Sequence, residues 1–596
     1  MGGTGAGGKP QSASENRTAV IPHDYANALS LLLEEAAFFA ALSDDTAGEA
    51  ARLESLARRI REMGTMTGGP ASPTGETTLS GEADAIRGWI DTGILEPLER
   101  LRRRYPDTTR EFFLLADLGT GAARQLLARR VTSAEDLERR CLSGEINQWR
   151  EFPAGFADRM LRALRALRHR TRRVFLPEAD ALADDAVKAL RSAGARDRIE
   201  TAGECRRRRE LVSRLDLVVE NGTPEMAARA FADLGWTLLP SGPADQDVSR
   251  GNIPGGIPVV AHHAPTASFG PRLVLATGDG VHLSALRRAL KARNLRLTWQ
   301  GVLDRKEHRI NCPDEEAVYR LVDWPVIPPE LRDNIPDRTG PSRLITDTDL
   351  RGIAHCHTDW TDGEGSLERM VETARSIGMR WLAVTDHSAA AEQARGLSAD
   401  RLREQYVEID RLNAGLDNFR VIKGIEADIL ENGEVDLGGD ALSASELVIG
   451  SVHEGVPGTT TENTDRVIRA MASGLIDVLG HPTGRILKAW AGRSLDWDRL
   501  FEAAATWQVA IEINANPRRL DLDWRLIPQA AARGAWFLIG PDAHRPEGLY
   551  NMRYGVAMAR KGGLGPERVL NCLDAADLVA WTRKRRQIGP PRKHGR

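Results

Sequence analysis

The chain is poor in cysteine, and the cysteines that it has stand far apart. None of the five forms a Cys-x-x-Cys pair; they are Cys141, Cys205, Cys312, Cys356 and Cys572. This spacing excludes a disulfide framework and a thiolate zinc site. It is typical of a protein kept in a reducing cytoplasm.

Two further absences concern membranes and charge. The sequence has no apolar run long enough to cross a bilayer and no recognisable signal peptide, so we expect a cytoplasmic protein without a membrane partner. The formal net charge is −3, so the chain as a whole does not indicate a polyanionic partner. Arginine-rich stretches such as LERLRRRY are by default solvated helix faces.

A chain of 596 residues is too long for one hydrophobic core, and its pattern changes several times along its length. Helical periodicity comes first, followed by short β-rich runs; LDLVVE, IPVVAHH and RLVLATG are predicted strands. The predicted segments are a disordered tail (1–20), two helical segments (21–105 and 106–180), two mixed α and β segments (181–265 and 266–330), a Pro-rich linker (331–349), a βα-repeat domain (350–585) and a basic tail (586–596).

The βα-repeat domain opens with GIAHCHTDWTDGEG, residues 352–365. If IAHCH is a strand, His355 and His357 lie on one face and Cys356 on the other, because side chains alternate along a strand. Apolar strand-like runs alternate with helical segments from there onward, which predicts a parallel barrel or a doubly wound sheet.

Metal-binding residue types follow successive predicted strands of this domain. The strand ends of a parallel barrel converge on one mouth, so these side chains are expected to meet there. Imidazole and carboxylate ligands suit zinc, manganese or iron better than calcium. More ligands are present than one ion takes, so two or three ions are predicted, with Glu426 as the candidate bridge. The candidate ligands are His355, His357, Asp362, His387, Glu426, His453, His481, Asp542 and His544.

Several motifs of this half resemble the PHP (polymerase and histidinol phosphatase) family; they are HCHTDWTDG, TDHS, GIEADI, GSVHEG, GHPTGR, EINANP and DAHRPEGLYNMRYGVAMARKG. The resemblance implies a distorted (βα)7 barrel with a trinuclear metal centre that hydrolyses phosphoesters. It implies ligand roles for the nine residues and manganese as the metal, although the ligands themselves leave zinc and iron open. It implies catalytic roles for Glu426, Asp542 and Arg485. It makes Arg485 and Arg518 candidates for holding the phosphate, with Arg518 as the one expected to bind DNA.

The last motif is closest to the PHP domains at the C-terminus of bacterial X-family DNA polymerases, and the front half agrees with that resemblance. LADLGTGAARQLLARRVTSAEDL is similar to a helix-hairpin-helix, in which Gly119 and Gly121 would let backbone N–H groups hold a DNA phosphate. An earlier copy of the motif is eroded, since it keeps Gly81 but has Ala83. Residues 181–265 are similar to the family's palm, and residues 266–330 to its thumb.

The palm-like segment departs from the family at its catalytic positions. The family uses three aspartates to hold two magnesium ions; here Asp216 keeps one position, Arg214 replaces another, and our alignment places Val260 at the third. Glu204 stands in the phosphate-binding Gly-Ser motif, where a carboxylate would repel a triphosphate. No lysine occurs between Lys9 and Lys188, so this stretch has no amine for a Schiff-base lyase.

These features predict a metal-dependent DNA phosphoesterase, a 3′→5′ exonuclease or another 3′-end-processing activity in DNA repair. The polymerase-like half would be an inactive scaffold that binds gapped, nicked or 3′-ended DNA without reading its sequence, and the protein is expected to be a monomer. Three alternatives remain at this point: an active X-family polymerase with exonuclease, a small-molecule phosphatase of the histidinol-phosphate type, and a DNA-binding scaffold without activity.

Overall fold

The computed structural model describes residues 33–65, 95–105, 109–115, 118–171, 173–240, 247–254, 256–333, 343–453, 459–489 and 492–588. The chain divides into two compact units, Met1–Arg172 and Arg173–Arg596. The expected boundary near residue 180 therefore lies at 172/173 in the structure. The eroded motif with Gly81 and Ala83 lies outside the described residues.

The described part of the first unit is helical. Its helices are α1 (33–41), α2 (Ala47–Thr65), α3 (Glu96–Arg102), α4 (Arg110–Leu114), α5 (Thr120–Ala128), α6 (Ala134–Leu142) and α7 (Phe156–Thr171). Apolar residues at helical spacing, among them Phe39, Leu98, Phe112 and Leu126, form one buried core. The hydroxyl of Ser133 caps α6 by accepting a hydrogen bond from Asp136 N at 3.1 Å.

The second unit begins with an α+β region around a five-stranded sheet of order β2-β4-β7-β6-β5. Strands β4 and β7 pair in parallel and the others antiparallel. A short pair, β1 with β3, lies beside this sheet. The elements are β1 (Val174–Phe175), α8 (Leu176–Ser192), β2 (Ile199–Ala202), α9 (Gly203–Arg206), β3 (Leu211–Val212), β4 (Leu215–Glu220), α10 (Pro224–Asp233), β5 (Thr237–Leu238), β6 (Val248–Asn252) and β7 (Pro258–Ala264).

The next region holds a three-stranded antiparallel sheet of order β10-β9-β8. Its elements are α11 (Phe269–Thr277), α12 (Gly280–Ala292), β8 (Arg296–Thr298), β9 (Gly301–Leu303), β10 (Arg309–Ile310) and α13 (Glu315–Arg320). The strand predicted for RLVLATG is wrong, because these residues end helix α11. Every residue of that helix is buried, so its apolar residues are not confined to one face and show no helical periodicity.

The remainder is a barrel of seven parallel strands that follow one another in chain order. Paired backbone at Cys356 and Ala543 joins its first and last strands, so the predicted (βα)7 barrel is confirmed. Its elements are β11 (Gly352–Ile353), α14 (Leu367–Ser376), β12 (Trp381–Val384), α15 (Ala399–Ala414), β13 (Arg420–Asp428), α16 (Gly438–Leu442), β14 (Leu447–Ser451), α17 (Thr460–Ala472), β15 (Val478–Leu479), α18 (Trp497–Trp507), β16 (Ala510–Asn514), α19 (Ile527–Ala532), β17 (Phe537–Gly540), α20 (Met552–Lys561) and α21 (Ala575–Arg586).

The α+β region and the barrel share one hydrophobic core, which includes Leu176 and Tyr554. Lys561 of the barrel is fully buried; its ammonium donates to Arg207 O at 2.8 Å and pairs with Asp333. Asp333 also accepts from Arg207 Nε at 2.7 Å. The predicted linker at 331–349 therefore begins with buried residues that join these regions. No helix in the described part of the chain is long and apolar enough to span a bilayer.

Candidate metal centre

The barrel strands deliver the nine candidate ligands to one place. Glu426 lies near the end of β13, and the other residues follow strand ends by a few positions: His387 after β12, His453 after β14, His481 after β15 and Asp542 after β17. The geometry follows from the parallel topology, because all strand C-termini meet at one mouth.

The first two histidines reach the site by a different route from the one predicted. Strand β11 ends at Ile353, and His355 has a left-handed backbone with φ +64°. Strand alternation therefore does not place His355 and His357. Instead, His357 N donates to Ala543 O at 2.9 Å, and both rings are buried with their centroids 5.4 Å apart.

Within the described residues, four groups of side chains have ligand atoms within 4.8 Å of one another, close enough to share an ion. Neighbouring groups have members in common, so the ions they could hold would be adjacent. The groups are His357–Asp362–His387–His544, His355–His357–Asp542, His355–Glu426–His481 and His387–Glu426–His453. Together they contain all nine residues selected from the sequence and no others.

Glu426 lies at the centre of this cluster and is buried. One carboxylate oxygen is 3.2 Å from His355 Nε2 and 3.0 Å from His481 Nε2, and the other is 3.0 Å from His387 Nδ1. A carboxylate whose two oxygens face different imidazoles is arranged to bridge two cations.

Buried atoms without hydrogen-bond partners test whether the residues fit metal ions. Among the described residues, His355 Nε2, both ring nitrogens of His357, His387 Nδ1, His481 Nδ1 and Glu426 Oε2 are buried and make no hydrogen bond. Buried polar atoms of a native protein almost always have partners. His355 Nε2 and His387 Nδ1 lie 3.2 and 3.0 Å from oxygens of Glu426 without hydrogen-bond geometry. Imidazole nitrogens and carboxylate oxygens are the donor set that divalent first-row metals take, so the residues fit such ions.

Two acidic residues that the sequence interpretation missed hold the histidines in place. Glu512 on β16 contacts His355 Nδ1 and accepts from His481 N at 2.6 Å. Asp428 lies 2.6 Å from His453 Nδ1. Carboxylates that bind the second ring nitrogen orient ligand histidines and make them stronger donors. A side chain on Gly540 would collide with Glu512, so this glycine permits the close packing.

The cluster attracts positive charge. Burial by itself lowers the pKa of His355, but the carboxylates of Glu512, Glu426 and Asp542 outweigh it and raise that pKa well above its usual value. Burial likewise opposes protonation of His453, yet Glu426 and Asp428 raise its pKa to about 10. His357 differs, because burial lowers its pKa to about 3. Protons and metal ions therefore compete for the same nitrogens.

The cluster opens into a cavity of about 520 Å³. Asp542, His544 and Arg518 are among the residues that line it, and a role of Arg518 in holding DNA stays a prediction. Arg485 does not offer a free guanidinium: it donates to Asp523 at 2.6 Å, to Arg519 O at 2.8 Å and to Leu520 O. Arg519 Nε lies 3.3 Å from Asp542 Oδ2 and is the cation that the sequence interpretation missed.

The polar side chains at the predicted catalytic positions of the palm make hydrogen bonds within the protein. Arg214 Nε donates to both oxygens of Asp216, at 2.9 and 3.0 Å, and the pairing of β4 with β7 sets Val260 opposite Asp216. Glu204 accepts from Ser213 N at 2.6 Å and from its hydroxyl at 2.7 Å. Gly203, with φ +62°, is needed because a Cβ there would meet the Asp216 carboxylate.

The two glycines of the predicted helix-hairpin-helix motif lie at the start of α5. Gly119 is the residue before the helix and Gly121 is its second residue. A Cβ added at either position would meet no atom within 4 Å. The folded chain therefore does not itself require a glycine at these two places.

Two protein-family models match the chain: the DNA polymerase beta thumb over residues 272–333 and the PHP domain over residues 354–516. The protein "DNA polymerase/3′-5′ exonuclease PolX" of Bacillus subtilis is 30% identical over 550 residues, which cover 90% of this chain and 94% of that protein. A "Probable phosphatase" of Shewanella loihica and the "Probable phosphatase YcdX" of Escherichia coli are each 28% identical over 227 residues. Those residues make up 36% of this chain and 87% and 88% of the two proteins.

Proposed function

This chain belongs to the PolX family, and from that premise we propose that its barrel is a metal-dependent DNA phosphoesterase that trims 3′ ends. The observation that carries the proposal is the cluster of nine imidazole and carboxylate side chains, in which six buried nitrogen and oxygen atoms lack hydrogen-bond partners within the described chain. The ions would be two or three in number, with manganese favoured over zinc or iron.

In the proposed reaction, one water adds across the bond between phosphorus and the 3′-oxygen of the preceding nucleotide. A bond from the water oxygen to phosphorus forms, the bond to the 3′-oxygen breaks, and a proton ends on that oxygen. Bound divalent ions lower the pKa of a water and stabilise charge on phosphoryl oxygens. The chain supplies Glu426 as a shared ligand and Asp542 as a ligand of one group. Glu512 and Asp428 orient histidines, and Arg518 and Arg519 are the cations on the side of Asp542.

We further propose that the palm does not transfer nucleotides. Nucleotide transfer needs two cations about 3.5–4 Å apart, held by several carboxylates. The Arg214 guanidinium lies on both oxygens of Asp216, and Val260 opposite them offers no oxygen. Restoring one position is not expected to help, because the ligands act as a unit. Even Arg214→Asp with Val260→Asp is expected to fail while Glu204 remains.

In this proposal the polymerase-like half of the chain binds gapped or nicked DNA during repair. The thumb match supports DNA binding, and the start of α5 offers Gly119 and Gly121 with open space above them. Contacts from backbone N–H groups to phosphates would make binding independent of sequence and strongly dependent on salt. A working polymerase with exonuclease, as the name of the Bacillus subtilis relative states for that protein, is the second candidate.

One experiment tests these proposals together. Purified protein with manganese is incubated with end-labelled gapped DNA, with and without deoxynucleotides. We expect shortening of the 3′ end and no extension. Template-dependent extension that Asp216→Ala abolishes would establish the second candidate instead. Hydrolysis of a free phosphomonoester without any DNA binding would point to a small-molecule phosphatase, and no hydrolysis of any substrate would leave only a scaffold.

A further inference from the structure

We propose that the cavity beside the metal cluster, the nine candidate ligands at the barrel mouth, is a nucleobase subsite in which Phe175 of the α+β region is the stacking surface for the 3′-terminal base of a DNA strand. The inference rests on the proposed phosphoesterase function and adds to it the part of the substrate that the site selects. Nothing in the barrel alone would provide this surface, because Phe175 precedes the barrel by more than 170 residues of chain.

The cavity has two walls of different origin. The barrel forms one wall, which includes Asp542 and His544 of the metal cluster together with Arg518 and Arg545. The other wall is Phe175, Pro177 and Glu178, from the first strand and helix of the α+β region. Its volume of about 520 Å³ falls within the range of small-molecule sites. A strand whose terminal phosphate reaches Asp542 and His544 therefore enters a cavity that Phe175 also lines.

The position of Phe175 is fixed by the fold. Its backbone pairs with Leu211 in the β1–β3 ladder, and Leu176 beside it is fully buried in the shared core. Glu210, next to that ladder, accepts from Leu176 N at 3.2 Å through its carbonyl and pairs with Arg525 of the barrel at 2.9 Å. These contacts fix the position of Phe175 relative to the barrel.

The chemistry of the cavity matches a nucleotide better than a bare phosphate. Phe175 is only partly buried, and Lys488 Nζ lies 4.1 Å from its ring centroid. An aromatic face with cations around it is the arrangement that binds unpaired bases and their phosphates. The carboxylates of the cavity are Asp542 of the ligand cluster, Glu547, and Glu178, which accepts from Phe175 N at 3.1 Å. Arg545 is paired with Glu364 at 2.6 Å. Arg518 is a further cation that lines the cavity, and Lys488 is the cation in contact with the ring.

A base can stack on Phe175 only after it leaves the double helix. The subsite therefore predicts that the barrel prefers frayed, mismatched or single-stranded 3′ ends to paired ones. It also predicts a preference for a 3′-terminal nucleotide that carries a base over one that lacks it, since every base has a flat face and the stacking is tolerant of sequence.

The test uses the full chain with manganese and two oligonucleotides that differ only at the 3′-terminal sugar, one with its base and one abasic. The variants are Phe175→Leu, which keeps the apolar wall, and Phe175→Trp, which keeps a stacking surface. Trp299→Ala removes another exposed aromatic ring and is the matched control. We expect kcat/KM for the base-carrying strand, relative to the abasic strand, to fall about 10-fold in Phe175→Leu. The ratio should persist in Phe175→Trp and Trp299→Ala.

A second readout needs no turnover. With metal chelated, the fluorescence of a 3′-terminal 2-aminopurine should change on binding to the unaltered chain, and Phe175→Leu should abolish the change. A ratio and a fluorescence change that survive Phe175→Leu would overturn the subsite while leaving the phosphoesterase proposal intact. If the unaltered chain hydrolyses neither strand, the phosphoesterase proposal itself fails.

Discussion

At the residue scale, the metal cluster is built partly from backbone conformations that most residues avoid. His355 and Asp542 both have positive φ, 64° and 50°. For a residue with a Cβ, this conformation costs about 1–2 kcal/mol, and it persists at functional sites where surrounding contacts hold it. Here the contacts are the backbone hydrogen bonds that join the first and last barrel strands, such as that from His357 N to Ala543 O.

The first prediction concerns the two histidines that open the cluster. Replacing both His355 and His357 with alanine removes members of three of the four ligand groups. We expect the double variant to lose at least one bound ion per chain by elemental analysis, and nearly all hydrolysis. His308→Ala, which removes an exposed histidine of the thumb, is the control and should retain both. Full metal content in the double variant would contradict the ligand assignment.

The second prediction concerns Glu315, whose carboxylate lies between two arginines. Burial would raise its pKa, but hydrogen bonds and charge from Arg206 and Arg332 lower it to about 2. The folded-state pKa is thus below the unfolded one, so the stability it contributes is present above about pH 4.5 and is lost as the pH falls toward 2. Glu315→Gln should lower the free energy of unfolding by about 3 kcal/mol at neutral pH.

Denaturant unfolding of the unaltered chain and of the Glu315→Gln variant at pH 7 and at pH 3 checks this expectation. The difference in their free energies of unfolding should be smaller at pH 3 than at pH 7. The exposed pair of Glu316 with Arg320 provides the control, because Glu316→Gln is expected to cost less than about 1 kcal/mol at either pH. A Glu315→Gln effect as small as that of Glu316→Gln would show that the ion cluster does not stabilise the thumb.

At the scale of single elements, a substitution at the start of α5 distinguishes an effect on folding from an effect on DNA binding. Gly121 is the second residue of this helix, and a Cβ there would meet open space. Alanine favours a helix over glycine by up to about 1 kcal/mol, so Gly121→Ala should not destabilise the protein. If a DNA phosphate approaches this backbone, the added methyl group should nevertheless weaken DNA binding several-fold.

Gly48 gives a closely matched control for that third prediction. It is the second residue of α2, and a Cβ there also meets nothing within 4 Å. Gly48→Ala should therefore leave affinity for DNA as it is, which fluorescence anisotropy with labelled gapped DNA would measure. Equal affinities of the Gly121→Ala and unaltered chains would remove α5 from the proposed DNA contact.

At the scale of the whole molecule, the boundary that separates two compact units lies at residues 172 and 173. Cutting before the barrel would instead expose Lys561 and Asp333, which are buried together with Arg207 of the α+β region. A chain of residues 173–596 keeps the buried contacts among Lys561, Asp333 and Arg207, and it keeps the Glu210–Arg525 pair. It is the fragment suited to testing what the helical unit contributes.

The fourth prediction is that residues 173–596 still hydrolyse a short single-stranded 3′ end but bind gapped DNA more weakly than the full chain. The reason is the loss of the proposed backbone contacts at Gly119 and Gly121, each of which adds to affinity and to its dependence on salt. Binding isotherms at several salt concentrations would measure both effects. Equal affinity and equal salt dependence would show that the helical unit is not the DNA holder.

The sequence by itself determined the barrel and the residue types at its mouth. Alternating apolar runs and helical segments fix a parallel βα fold, and polar residues just beyond each run must then meet, so all nine candidates could be chosen from local pattern. The family followed from the same motifs. The helix at 269–277 could not be predicted, because an apolar stretch buried on every side carries no period.

Only the tertiary structure decided the roles that depend on neighbours distant in sequence. Glu512 supports His355 across 157 residues, and Arg485 is held by Asp523 and backbone carbonyls rather than left free for a phosphate. Phe175 lines the cavity beside the metal cluster because the α+β region and the barrel share one core. Residue type and spacing encode which chemistry is available, whereas packing decides which side chains face each other, and that packing is a property of the whole folded chain.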